Sequence, residues 1–170
     1  MKLGLNPVSD DEMYMFVLEH VPDNRFFHEE ELVPHLRELL TPFGGAVPAV
    51  RESIQRPEQV NYRPLEWLLM PKSWAHGRVV LVGDAAHATG PHMASGAGMA
   101  AEDGLVLSEE LARHEDVVRA LEAFGERRFE RARLVVETSV RIGDMEMAGD
   151  RSNDGPAMLG AAMAQLQQPY

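Results

Sequence analysis

The chain has 170 residues, of which 45% are hydrophobic and 25% charged, with 16 basic and 27 acidic side chains and a formal net charge of −11. This composition predicts a folded globular protein with its own core, and the acidic balance argues against nucleic acid or anionic membranes as partners. The absence of cysteine excludes disulfides, thiolate zinc sites and a cysteine nucleophile, and together with the lack of a signal-like apolar run it predicts a cytoplasmic protein.

The first part of the chain predicts a hairpin, a helix and two short strands. Two apolar stretches, 3–8 and 13–21, flank an acidic turn, and the aromatic and β-branched residues of the second are typical of a strand. Leucines recur at helical spacing over 29–40, before a Thr-Pro pair that ends the helix. Residues 50–54 and 60–69 predict short strands that nearby prolines interrupt.

The second part predicts one more strand and two long helices. The short apolar run 79–82 favours a strand covered on both faces in a parallel sheet. A helix is predicted over 95–113, and a longer one from an N-cap at Asp116 to about 147. The inward residues of the first helix are predicted to be Met99, Val106, Leu107 and Leu111. Those of the second are predicted to be Leu121, Phe124, Arg128, Ala132, Val135 and Ser139. For residues 150–170 a short helix and a frayed tail both remain open.

The stretch 78–103 carries the strongest functional signal. A buried strand is predicted to end at Gly83-Asp84, followed by a tight loop and a helix that opens at Ser95-Gly96-Ala97-Gly98. A carboxylate at the end of a strand, facing the unpaired N–H groups of a helix start, suits the binding of a polar cofactor. Taken alone, Asp84 could be a helix cap, a metal ligand or an acceptor for ribose or ribityl hydroxyls.

Three other chemical interpretations of this stretch are weaker. The glycines of 96–101 approach the dinucleotide-binding fingerprint, but about a dozen residues separate them from the strand that should precede them directly. Asp84, His87 and His92 could form a metal cluster, yet no second acidic cluster completes it, so no metal site is predicted. Ser95 lacks the Gly-x-Ser-x-Gly setting of a nucleophile. We expect His87 to pack in the loop and to bond backbone groups.

Two sets of side chains have mainly structural interpretations. Most of the ten methionines are expected to fill the core, although three of them could line an apolar pocket: Met70, Met93 and Met99. The arginines at 127, 128 and 133 alternate with glutamates, which predicts a solvated helix face.

Residues 77–87, Gly-Arg-Val-Val-Leu-Val-Gly-Asp-Ala-Ala-His, resemble the second FAD-binding motif of the flavoprotein aromatic hydroxylases. The following Pro-His-x-x-x-Gly-Ala-Gly resembles the salicylate hydroxylase-like branch of the p-hydroxybenzoate hydroxylase superfamily. The resemblance implies that Asp84 accepts hydrogen bonds from ribityl hydroxyls and that Pro91 lies beside the flavin ring. The implied cofactor-binding residues are Gly83, Asp84, Pro91, Gly96, Ala97, Gly98 and Met99. His92 and Met70 are weaker candidates for contact with substrate, and no catalytic acid or base is predicted.

The resemblance also implies an α/β fold class and a division of the chain. Residues 1–75 would be the end of a substrate-binding domain with a mixed β-sheet. Residues 76–150 would be the last strand and the C-terminal helices of a Rossmann-like FAD-binding domain, and 151–170 a tail. Because the family's N-terminal Gly-x-Gly-x-x-Gly strand–turn–helix motif is missing, the chain is expected to be the C-terminal part of a longer enzyme, as a fragment or a truncated gene product.

The activity that the resemblance implies is hydroxylation of an aromatic or similarly planar substrate by a flavin monooxygenase that uses FAD, NAD(P)H and O₂. The chain alone is expected to be nearly inactive, to hold little FAD, and either to associate with itself through exposed sheet edges or to bind the missing N-terminal half. Two alternatives remain open. One is a relic domain whose role is association, and the other is a different FAD enzyme with this motif, such as a halogenase or an isoprenoid reductase.

Overall fold

The computed structural model describes residues 1–23, 25–150 and 152–170, and it separates them into two compact units, Met1–Pro64 and Leu65–Tyr170. Helices predominate over two small antiparallel sheets. The mixture fits the predicted α/β fragment. Within the described ranges, no helix combines the length and the apolar character needed to cross a membrane.

The first unit opens with the predicted hairpin. Strands β1 (Lys2–Pro7) and β2 (Met13–Leu18) pair antiparallel, with Lys2 opposite Leu18 and Pro7 opposite Met13. Gly4 lies directly opposite Phe16, and a Cβ at Gly4 would overlap the Phe16 ring. The aromatic content that predicted the strand therefore also explains why its partner strand carries a glycine.

Two helices follow in this unit, and only the first was predicted. Helix α1 (Glu29–Leu39) confirms the periodicity, while α2 (Val47–Ser53) occupies the region predicted as a strand. The strand prediction was wrong because Pro48 stands in the first turn of α2, where its fixed φ favours a helix. The core of the unit consists of Leu40, Val47 and Ile54 with partly buried residues of both strands around them.

The extended segment before the second small sheet was also predicted as a strand. Residues 60–69 form neither a helix nor a strand. At the end of this segment, the N–H groups of Leu68 and Met70 donate to the carbonyls of Ala88 and Ala86 at 2.9 Å each. The strand prediction for this range was therefore wrong. Two such bonds align the segment with residues 86–88 but do not make a ladder.

The predicted parallel strand at 79–82 has a different form. Strand β4 (Val79–Val80) pairs antiparallel with β3 (Ala75–His76), and among the described residues these two strands form a two-stranded sheet. Val79 is 66% exposed and Val82 is 42% exposed, so the run is not covered on both faces. Hydrophobicity alone predicted that cover, which requires neighbouring strands that the described part of the chain does not supply.

The second unit consists mainly of helices: α3 (Asp84–His87), α4 (Gly96–Arg113), α5 (Val117–Met147) and α6 (Asp154–Leu166). The Asp116 carboxylate caps α5 by accepting from the Val118 N–H at 3.0 Å, as predicted. All six residues predicted to face inward from α5 are buried. In α4, Met99 and Val106 are buried, whereas Leu111 is 44% exposed and was predicted wrongly. Of the alternatives for the last residues, the structure has a helix, α6.

Arg128 is fully buried, which corrects the prediction of a solvated arginine face. Its Nε donates to Asp103 Oδ1 at 2.7 Å and its Nη1 to Glu102 Oε2 at 2.8 Å. Arg133 does lie on an exposed face, paired with Glu130 three residues away. The helical periodicity that places Arg128 on the apolar face of α5 is a better guide to its burial than the neighbouring charges are. A charged side chain is tolerated on that face because it forms a buried ion pair with Asp103.

The compact units divide between Pro64 and Leu65, and residues 65–75 belong to the second unit, where Trp74 is part of the core. The predicted functional division at residues 75 and 76 concerns domains of a longer protein and stays a prediction.

Replacing Arg128 with methionine should lower the free energy of unfolding by about 3–5 kcal/mol, because the Asp103 carboxylate would remain buried without its cation. The matched control is Arg133→Met, which removes an exposed ion pair on the same helix and should cost less than about 1 kcal/mol. Urea denaturation followed by circular dichroism measures both. Equal losses in the two variants would contradict a structural role for the buried pair.

Candidate functional site

An open pocket of ≈ 430 Å³ lies in the second unit, where α3 begins and α4 starts. Its wall is formed by Asp84, Thr89, Gly90, Pro91, Ala94, Ser95, Gly96, Ala97 and Ala100. Most of these side chains are small, so backbone groups contribute much of the surface that a ligand would meet.

Asp84 is the acidic group of this pocket, and a glycine places it there. Gly83 has φ 55° and ψ −139°, a conformation that disfavours a side chain, and a Cβ would approach the Ala100 Cβ to 3.3 Å. The Gly83 carbonyl then accepts the N–H groups of Ala86 and His87 at 2.9 Å each, which closes the single turn of α3. Asp84 is thereby held at the start of that turn, with its carboxylate exposed.

The start of α4 forms a second wall of the pocket. Ser95 precedes the helix, but its Oγ donates to the Met93 carbonyl at 2.9 Å and does not cap the α4 backbone. The first N–H groups of a helix have no intrahelical acceptor and carry a partial positive charge. Since Gly96 and Ala97 line the pocket, this end of the helix can donate hydrogen bonds to an electron-rich ligand edge.

The turn at Pro91–Met93 forms the third wall, and α5 anchors it. The Oγ of Ser139, a fully buried residue, donates to the Gly90 carbonyl at 2.7 Å. On the other side of the turn, His92 Nδ1 lies 3.4 Å from Glu146 Oε2. The turn ends at Ala94 in the left-handed conformation, with φ 50°. These contacts fix the backbone of the turn, so the position of Pro91 does not depend on a ligand.

A buried polar cluster lies behind the pocket and is centred on Asp103, which is fully buried. Asp103 Oδ2 accepts from the Gly83 N–H and from His87 Nε2, both at 2.8 Å, and Oδ1 accepts from Arg128. Burial opposes ionisation of this carboxyl, but the bonds from His87, Gly83 and Arg128 outweigh it, so its pKa lies below the usual value. Asp103 is therefore an ionised acceptor inside the core.

The cluster extends to the surface through Glu102. Its carboxylate accepts from Arg131 at 2.7 Å and from Arg128 at 2.8 Å. The hydrogen bond from Arg131 is the main reason that the pKa of Glu102 lies below its usual value, although partial burial acts in the opposite direction. Two arginines of α5 and two carboxylates of α4 thus form one network that joins these helices.

The pocket brings together four of the seven predicted cofactor residues: Asp84, Pro91, Gly96 and Ala97. Gly83 and Met99 are buried behind the wall, and Gly98 lies outside the lining on an open face of α4. Neither of the weaker substrate candidates belongs to the lining. Met70 packs against the core, and His92 is engaged with α5. The role of each as a binding residue stays a prediction.

Several residues of the site were not predicted from the sequence. Thr89, Gly90 and Ala94 line the pocket, and Asp103 binds the backbone beneath it. His87 was expected to bond backbone groups, but its ring bonds the Asp103 carboxylate. A signal for this cluster was present: Asp103 lies four residues after the inward Met99, and Arg128 lies on the apolar face of α5. Charges at such positions indicate a buried ion pair.

The metal interpretation has no support in this part of the molecule. Across the described ranges, no group of three or more histidine, aspartate or glutamate side chains could hold a metal ion. His87 is committed to Asp103.

Replacing Ser139 with alanine should lower the free energy of unfolding by about 1–2 kcal/mol, because the Gly90 carbonyl loses its buried donor. The control is Ser108→Ala, since Ser108 is exposed and its Oγ donates to the Leu105 carbonyl within α4 itself. Thermal denaturation measures both variants, and the control should change by less than about 0.5 kcal/mol. If Ser139→Ala left the free energy of unfolding unchanged, the turn would have to be held by other contacts.

Comparison with known proteins places this chain in a family. A family model described as FAD binding domain matches residues 19–139. The chain is 32% identical over 99% of its length to the Bacillus subtilis protein YetM, which is named as a FAD-dependent monooxygenase, and covers 45% of that protein. It is 35% identical over 64% of its length to salicylate hydroxylase of Pseudomonas putida, of which it covers 26%.

A solved structure shows the same fold. The crystal structure of Klebsiella pneumoniae HpxO complexed with FAD matches 98% of the chain with a TM-score of 0.79 and 23% sequence identity, and the match covers 47% of HpxO. The chain thus spans less than half the length of each of these three proteins. It belongs to the FAD-binding domain family of the FAD-dependent monooxygenases and corresponds to part of such a protein.

Proposed function

We propose that the chain forms the part of an FAD site that holds the ribityl chain and one edge of the flavin ring. The protein concerned is a monooxygenase that hydroxylates an aromatic or similarly planar substrate with NAD(P)H and O₂. The observation that carries the proposal is the convergence of Asp84, Pro91 and the first residues of α4 on one pocket. Relatives named as monooxygenases and hydroxylases support this over the halogenase, isoprenoid reductase and relic-domain alternatives.

The pocket residues fit the chemical groups of a flavin. An ionised carboxylate only accepts hydrogen bonds, and ribityl hydroxyls can donate them. The Asp84 side chain makes no hydrogen bond or ion pair with the described residues, so its acceptor capacity is available. The N–H groups at the start of α4 supply the complementary donors for carbonyl and ring-nitrogen acceptors, and the helix dipole favours negative charge there.

The chemistry itself belongs to the cofactor. When bound, FAD would supply the redox chemistry of a monooxygenase, with a nicotinamide as reductant and O₂ as the source of the transferred oxygen atom. The residues of this chain bind and orient. Asp84 sets the position of the ribityl chain, Pro91 provides a rigid apolar wall, and the start of α4 stabilises charge at the ring edge. No acid or base in this chain is assigned to the reaction.

The isolated chain should bind FAD weakly and have little monooxygenase activity. We also propose that the protein is located in the cytoplasm. Its pocket is open, and the chain spans less than half the length of the relatives named above. The remaining contacts to the cofactor would come from the rest of such a protein.

The second unit also exposes large apolar side chains that favour association. Leu65 and Trp67, two residues apart in the sequence, are 54% and 58% exposed. Val79 and Val82 are further exposed apolar side chains of this unit. Monomeric proteins rarely leave such surface uncovered when it is contiguous. We infer that these residues meet either the N-terminal half of the enzyme or, when that half is absent, a second copy of the chain.

Substituting Asp84 with alanine should raise the Kd for FAD by about tenfold or more, since a hydrogen bond to a charged acceptor contributes about 1.5–3 kcal/mol. Fluorescence titration with FAD up to about 1 mM measures the wild-type chain and the variant. Asp144→Ala, which removes an exposed carboxylate of α5, serves as the control and should leave the Kd unchanged. A wild-type chain with no measurable FAD binding would contradict the proposed function.

Light scattering at micromolar concentration should show the isolated chain as a dimer or larger species, because association covers the exposed apolar side chains. Replacing Trp67 and Val79 with serine and threonine should shift the chain toward monomer. A wild-type chain that remains monomeric would argue against this surface as an interface.

A further inference from the structure

The four-residue helix α3 is held at both of its ends by one side chain. Asp103 Oδ2 accepts the N–H of Gly83, the residue before the turn, and also the ring nitrogen of His87, its last residue. Both distances are 2.8 Å, and Asp103 and His87 are buried. A single carboxylate oxygen therefore ties the beginning of the turn to its end.

Asp103 is itself fixed from the opposite side. Arg128 Nε donates to Oδ1 at 2.7 Å, and the same guanidinium donates to the Met99 carbonyl at 3.2 Å. With both oxygens occupied, the carboxylate has one orientation. Since Arg128 is fully buried, its bonds to Asp103 are shielded from water and strengthened by the low local dielectric.

Asp84 depends on this arrangement because its side chain has no support of its own. Among the described residues it forms no hydrogen bond or ion pair, and it is exposed at the pocket wall. Its position follows from the backbone of Gly83, whose left-handed φ is maintained by the N–H bond to Asp103 and by the carbonyl bonds that close the turn. A change at Asp103 would therefore reach the pocket through Gly83.

We propose that Asp103 is a positioning residue for the cofactor, which holds the Gly83-Asp84 backbone so that the Asp84 carboxylate projects into the pocket. The inference rests on the proposed function for what the pocket binds, but the geometric claim concerns α3 alone. Asp103 would touch neither the cofactor nor the substrate. Its contribution to FAD affinity would pass entirely through Asp84.

The test uses the full 170-residue chain and compares two buried carboxylates of α4. Asp103→Asn removes the charge that holds α3. The control, Glu110→Gln, removes a carboxylate that accepts from Arg113 and Arg127 at 2.7 Å each and is not part of the pocket lining. Each variant is made with Asp84 and with Asp84→Ala, and the FAD Kd of all forms is measured by fluorescence titration.

The expected result is coupling between Asp103 and Asp84. Asp103→Asn should raise the FAD Kd by about fivefold or more with Asp84 present, and by much less in the Asp84→Ala background. Glu110→Gln should lower thermal stability without changing the Kd in either background. An Asp103→Asn effect that is equal in both backgrounds, or shared by Glu110→Gln, would overturn the positioning role and leave a general structural one.

Hydrogen–deuterium exchange of residues 83–88 without FAD separates this inference from the proposed function. Asp103→Asn should accelerate exchange there more than Glu110→Gln does, and equal rates would overturn the inference even if FAD binds. If the wild-type chain binds no FAD, the proposed function fails while the exchange result still decides whether Asp103 holds the turn.

A second variant covers the case in which Asp103→Asn does not fold. His87→Leu removes one end of the support and keeps the Arg128–Asp103 pair. It should also accelerate exchange at 83–88 and weaken FAD binding in an Asp84-dependent manner, and unchanged exchange would overturn the inference.

Discussion

The ion pair between Asp103 and Arg128 is the contact on which the second unit depends. It lies between α4 and α5, and through Gly83 and His87 it also fixes α3. Burying two charges has a large desolvation cost, which is offset only when both ions find good geometry and further hydrogen bonds. Here both carboxylate oxygens are occupied, and the guanidinium also bonds Glu102 and the Met99 carbonyl. The pair therefore specifies one arrangement of three helices.

The walls of the pocket follow from that arrangement. With α3 fixed to α4, Asp84 and the first residues of α4 face the same space. The third wall, the turn that contains Pro91, is fixed by a different contact, the hydrogen bond from Ser139 of α5 to Gly90. All three walls are thus held from behind by buried side chains, while the surface that meets a ligand consists mainly of small residues and backbone. Such a division would let the lining approach a flat cofactor closely, as the proposed function requires.

Sequence reasoning found the elements whose signal is local and missed those that depend on partners. The hairpin, α1, α4 and α5 follow from alternation, periodicity and an N-cap at Asp116, and the structure confirms them. The apolar run at Val79–Val80 predicted cover by parallel strands, but such a run does not show which neighbour supplies the cover, and in this chain it pairs antiparallel with β3. Arg128 was predicted twice, as part of an inward periodic face and as part of a solvated charge cluster. Only its partner, 25 residues away in sequence, decides between them.

The site shows the same limit in its electrostatics. Motif resemblance predicts Asp84 as the acceptor of ribityl hydroxyls, but what that carboxylate would contribute depends on its exposure to water. In this chain it is exposed, so solvent competes for the same lone pairs, and the hydrogen bond contributes less than it would in a pocket closed to water. Covering the pocket would lower the local dielectric and strengthen each of these bonds without moving any atom of α3 or α4. If the pocket holds a flavin as proposed, its walls would need no rearrangement, and most of the affinity would come from whatever excludes water from it.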